Sequence, residues 1–110
     1  MTESVFRLQD KADDFVTRDI GKSLREALLQ FETTVPTDGR VTIDASGVSL
    51  MTPSFVDEFF GRTAATFGLD QFRARFRIIG VEADAKQLIN KVVRNRLILD
   101  HREPVSGQIT

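Results

Sequence analysis

The chain has 110 residues, a formal net charge of −1, nine Phe, and no Cys, Trp or Tyr. That length fits one domain able to bury a core unaided, and the missing Cys excludes disulfides, thiolate chemistry and Cys-ligated zinc. The near-neutral balance, six basic and nine acidic side chains in residues 1–50 and nine and seven in 51–110, excludes a whole-domain attraction for nucleic acid.

The start, MTESVFRLQDKADD, lacks the basic and apolar regions of a secretory signal, and no apolar run approaches a membrane span. A cytoplasmic chain with no membrane contact is therefore expected. Ser4, Val5, Phe6, Arg7 and Leu8 alternate as a short strand does. After a polar turn, Phe15 and Val16 form either a second short strand or an extended lead into a helix. Ile20, Leu24, Ala27, Leu28 and Phe31 then recur at helical spacing and predict a helix over about residues 18–33, with Thr17 as N-cap. Asp38-Gly39 marks a turn. Val41, Ile43 and Ala45 share one face of the strand that follows.

Thr52-Pro53 is a strong helix start, a capping residue followed by Pro at the first helical position. Phe55, Val56, Phe59, Phe60, Ala64 and Phe67 continue it as far as Gly68, which closes the helix. Residues 73–79 alternate in period two and predict a strand, with Arg73, Arg75 and Arg77 on one face and Ala74, Phe76 and Ile78 on the other. Ala85, Leu88, Ile89, Val92, Val93 and Leu97 predict a third helix over about residues 83–99. Residues 1–99 form the domain, and residues 100–110 lack periodicity and read as a loose tail. The strand–helix alternation implies an α/β fold: a small mixed central sheet, at least partly parallel, with three helices mainly packed on one face.

Nothing in this pattern assembles a catalytic or metal centre, and no cofactor is expected. His101 is the only histidine and lies in the tail, where no rigid scaffold supplies partners. Asp57 and Glu58 lie opposite the Phe stripe, where their simplest role is to favour the positive end of a helix. The glycines form no phosphate loop. Arg73, Arg75 and Arg77, with Arg7, could contact phosphates, but no aromatic alternates with them to stack bases. A solvated basic face is the simpler reading, and nucleic acid is disfavoured as a partner.

Residues 44–59, DASGVSLMTPSFVDEF, hold the most information. A strand ends in Asp44, a short apolar loop follows, and a helix opens at Thr52, Pro53 and Ser54. This segment resembles the STAS family, which includes the anti-sigma factor antagonists, whose landmark is a strand ending in Asp, a short loop, then Asp-Ser-Ser-Gly opening a helix. Thr52, Pro53, Ser54 and Phe55 stand at those four positions, so three of the four depart from the family's residues. Gly47-Val48 and the run from Thr52 to Glu58 are closer to a divergent STAS-like family of bacterial domains with no assigned function, as is Thr17-Arg18-Asp19-Ile20-Gly21-Lys22 upstream. The resemblance spans roughly residues 4–98. It implies a STAS-like fold and a non-enzymatic regulatory domain that binds a protein partner resembling a histidine-kinase-like ATPase or an anti-sigma factor, with homo-oligomers also compatible. It places the partner surface at Ser49, Met51, Thr52, Pro53, Ser54, Asp57 and Glu58, with Ser54 as the candidate phosphorylation site. The alternative is phosphate or nucleic-acid binding through Arg73, Arg75 and Arg77.

Overall fold

The computed structural model describes residues 4–109, with side chains described for residues 4–99. Three strands, β1 (Ser4–Arg7), β2 (Val41–Asp44) and β3 (Phe76–Ile79), form one sheet in the order β1-β2-β3. Both pairings are parallel, so the expected part-parallel sheet is parallel throughout its described strands. The register aligns Ser4, Val41 and Phe76, and then Phe6, Ile43 and Ile78. These residues share the face that carries the core, while Val5, Thr42, Arg77, Arg7, Asp44 and Ile79 share the other.

A sequential strand order with right-handed crossovers places both connections on the same side of the sheet. The first is α1 (Arg18–Glu32), whose N-cap Thr17 accepts a hydrogen bond from the Ile20 amide through its side chain. Phe15 and Val16 are the extended lead into α1 rather than a strand, and Phe15 is buried against Phe55 at 5.5 Å between ring centroids. The second connection starts with α2 (Pro53–Val56), passes through a π-helical turn over Asp57–Gly61, and continues as α3 (Arg62–Phe67). The helix expected over this stretch is thus present but widened in its middle. The π turn brings Glu58, Phe59, Phe60 and Gly61 into the interior in succession, a run that an unbroken α-helix facing one layer would not bury. Thr63 donates its hydroxyl to the Phe59 carbonyl at 2.6 Å, satisfying an acceptor beside the turn.

The third predicted strand requires correction. Residues 73–75 are not strand: α4 (Leu69–Arg75) occupies them, and β3 begins only at Phe76. Leu69, Phe72 and Phe76 fall at spacings of three and four, a helical stripe that the Arg-Ala-Arg alternation masks. Arg, Ala and Gln are good helix formers. Gly68 joins α3 to α4 at φ 85° and ψ 151°, a conformation open only to glycine. The fold therefore has a short extra helix beyond the three expected.

Arg73, Arg75 and Arg77 consequently do not form a row on one strand face. Arg77 projects from the outer face of β3 and Arg73 is exposed on α4. Arg75 turns inward, where its five N–H groups bond the Glu32 carboxylate at 2.8 Å and the carbonyls of Glu32, Val35, Pro36 and Gly39 at 2.7–3.1 Å. It clamps the loop that leaves α1 and is not available to phosphates.

The last helix, α5 (Ala83–Ile109), starts as predicted and continues to Ile109. The side chains of residues 100–110 lie outside those described, and with them His101 and the expectation of a loose tail. Phe6, Ile43, Phe55, Phe59, Phe60 and Leu28 are the centre of the core, which Ile89 and Val93 of α5 close. Leu88, on the apolar stripe that predicts this helix, packs at the margin of the core and is partly exposed.

Candidate functional site

The β2–α2 connection is built by local chemistry. Asp44 ends β2 and accepts the Ser46 amide at 2.9 Å, an Asx turn that redirects the chain. Bonds from the Ser46 hydroxyl and amide, with the Arg7 guanidinium nearby, hold its carboxyl below the usual carboxylate range. Gln9 donates to the Gly47 carbonyl at 3.2 Å. At the far end Thr52 fixes the helix start. Its side chain accepts from the Phe55 amide at 3.2 Å and donates to the Val16 carbonyl at 2.8 Å, while its amide donates to the Phe15 carbonyl. Both ends of the loop are therefore anchored to the segment that precedes α1.

Between these anchors Ser49 and Leu50 face solvent, Leu50 with 62% of its surface exposed. Pro53 is exposed at the first helical position and Ser54 is half-exposed at the second. The rest of the expected surface turns inward. Met51 is buried in the core, and so offers nothing to a partner. Glu58 retains only 8% of its surface because α1 packs across it. The exposed part of the expected patch thus narrows to Ser49 and Pro53, with Thr52, Ser54 and Asp57 half-exposed, and Leu50 joins it.

Asp57 and Glu58 do more than favour a helix terminus. Arg96 of α5 grips Asp57 with two bonds, at 2.9 and 2.6 Å, and Arg18 of α1 adds a third at 2.9 Å. Arg25 of α1 bonds the Glu58 carboxylate at 2.7 Å and its carbonyl at 2.8 Å. Arg18 and Arg62 complete the set at 3.3 Å each. The two acids tie α1, α3 and α5 to the π turn. Gly21 permits the close approach of α1: a Cβ there would lie 2.8 Å from the Glu58 Cβ. Sequence reasoning missed these partners because a pairing across more than thirty residues leaves no local periodic signal. The one available sign was Arg18 and Arg25 two turns apart on one face of α1.

The Arg96 bonds hold the Asp57 carboxyl below its ordinary value, outweighing the opposing effect of burial. For Glu58 burial is the largest single influence and acts upward, but Arg25, Arg62 and Arg18 together outweigh it and leave the carboxyl lowered. A folded-state value below the unfolded one stabilises the fold above the unfolded value, and that stabilisation is lost as pH falls through the carboxylate range. Urea melts across acid pH are expected to show stability falling below the ordinary carboxylate values. Glu58→Gln is expected to cost about 2–3 kcal/mol at neutral pH and to flatten that acid slope. An unchanged slope in the variant would remove Glu58 from the cause.

Among the described residues no group of three His, Cys, Asp or Glu side chains could hold a metal ion, and no helix is long and apolar enough to cross a membrane. No curated protein and no solved structure matches the chain. A family model described as a STAS-like domain of unknown function (DUF4325) matches residues 21–86, from the second turn of α1 to the first turn of α5. The match covers most of α1, the whole second crossover, β2, β3 and the whole loop from Asp44 to Ser54. The chain belongs to this family of STAS-like domains of unknown function.

Proposed function

We propose that this domain is a non-enzymatic regulatory module that docks a protein partner on the β2–α2 loop, as the resemblance to anti-sigma factor antagonists suggests. The observation that carries the reading is an exposed Leu50 on a loop anchored at both ends, with a half-exposed Ser54 in the first turn of the helix that follows. An apolar side chain on an anchored loop suits recognition, because less backbone ordering remains to be done when a partner covers it. The partner class is a histidine-kinase-like ATPase or an anti-sigma factor, acting in the cytoplasm.

Ser54 is the candidate switch within this surface. A phosphate there would add about −1.5 to −2 charges at neutral pH. The start of the helix tolerates negative charge, so Ser54→Asp is expected to leave stability unchanged or raised by about 0.3–1 kcal/mol. Thr52→Ala is expected to cost about 1–2 kcal/mol, since it removes both the cap and the bond to Val16. Denaturant melts of the two variants separate these roles.

The binding test is calorimetric titration against purified histidine-kinase-like ATPase domains encoded beside this protein. Leu50→Asp and Ser54→Asp are each expected to weaken binding about tenfold or more while Ser54→Ala retains it. Incubation with ATP followed by peptide mass spectrometry then reads whether Ser54 gains a phosphate. Binding untouched by Leu50→Asp and Ser54→Asp would move the docking surface elsewhere.

A further inference from the structure

A groove of about 1040 Å³ opens beside β3, between α4 and α5. Its floor includes Leu69 and Phe72 of α4, Ile78 of β3, and Val93 and Leu97 of α5. Its lining includes Arg73, Arg77 and Arg94, all exposed, and among the described residues no acidic side chain. None of the three arginines has a carboxylate partner among the described residues. That differs from Arg18, Arg25, Arg75 and Arg96, whose guanidinium groups are all paired with acids.

The groove runs beside an open sheet edge. β3 is the outer strand, with no neighbour beyond it among the described residues. The Ile79 carbonyl accepts the Ala45 amide at 2.9 Å on the β2 side. Alternation along the strand then turns the Ile78 N–H and C=O outward, away from β2. The core face of the sheet thus continues into apolar space, with unpaired backbone groups at its border.

We propose that this groove receives an extended acidic segment of a partner protein, which adds to β3 as a fourth strand. Alternate apolar side chains of that segment fill the floor, and Asp or Glu residues interleaved with them or flanking them meet Arg73, Arg77 and Arg94. Main-chain bonds supply pairing, the floor supplies buried area, and the arginines select for acid. A second copy of this chain is a poor occupant, because symmetric edge pairing would bring the same arginines together. Single-stranded nucleic acid is a poor occupant too, because Phe72 and Phe76 are buried and offer no stacking face. Neither Leu50 nor Ser54 lines the groove, so this surface is separate from the proposed switch loop and stands or falls independently of it.

The test is selection from a phage-displayed library of random peptides of about ten residues, enough for a strand with flanks. The full chain is the bait, and Arg77→Glu/Arg94→Glu is the counter-selection. Both positions are exposed, so the variant should keep the parent's thermal melt, and the single Arg94→Glu replaces it if it does not. Survivors are expected to interleave Ile, Val or Leu with Asp or Glu. A synthetic survivor is expected to lose about tenfold or more in affinity for the variant, and its binding should slow hydrogen exchange at the Ile78 amide. The proposal is overturned by an empty selection, by survivors without acidic residues, or by unchanged exchange at Ile78. It is equally overturned if phosphatidylglycerol vesicles or single-stranded DNA bind the chain more tightly than every selected peptide.

Discussion

Phe59→Ala is expected to cost about 3–5 kcal/mol, the range for removing a fully enclosed aromatic side chain. Phe59 is completely buried and touches three other rings: Phe60 at 4.8 Å, Phe55 at 5.5 Å and Phe6 at 6.3 Å between centroids. Phe6 lies on β1, so this one side chain links the second crossover to the sheet. It also sits inside the π turn, whose residues Glu58, Phe59, Phe60 and Gly61 are all buried. Phe59→Leu keeps much of the volume and is expected to recover more than half of the loss. Guanidinium melts followed by circular dichroism measure both. A cost below about 1 kcal/mol for Phe59→Ala would mean that the π turn does not hold this ring in the core.

Arg75→Ala is expected to cost about 3–5 kcal/mol, because it strands Glu32 and takes one donor from each of four carbonyls at and after the end of α1. The Glu32 and Pro36 carbonyls keep the Val35 and Gly39 amides, while the Val35 and Gly39 carbonyls lose the guanidinium that holds them. Arg75→Lys separates charge from shape. A lysine keeps the positive charge but has three donors on a point charge and cannot reproduce the planar fork. Most of the loss is therefore expected to persist in Arg75→Lys. Hydrogen exchange is expected to quicken across residues 33–40 in both variants while the core strands stay protected. Full recovery of stability by lysine would show that only the ion pair with Glu32 matters.

Much of the fold was legible in the sequence because it rests on short-range patterns. The stripe Ile20, Leu24, Leu28 defined α1, and the Thr17 and Thr52 caps marked both helix starts within a residue. Val41 and Ile43 fixed which face of β2 is inside. The candidate loop was also legible: Asp44, Gly47 and Thr52-Pro53-Ser54 carry their turn and cap chemistry locally, and the same residues carry the likeness to STAS-like domains that the match over residues 21–86 supports.

Tertiary structure decided what those patterns left degenerate. Arg73-Ala74-Arg75 fits either a strand or the last turn of a helix. The choice fell to helix because Leu69 and Phe72 needed one buried face and Arg75 found five acceptors at the end of α1 and on the loop after it, some forty residues earlier. In the sequence Asp57 and Glu58 read as acids favouring the positive end of a helix, and only the fold brought four arginines from three helices onto them. Met51 and Leu50 are adjacent apolar residues, yet one is buried and the other faces water, because the turn sets which side of the loop meets the core. Local periodicity is written in neighbouring residues. Ion pairs, the π turn and the arginine-lined groove arise between segments distant in sequence, and the packing of the whole chain sets them.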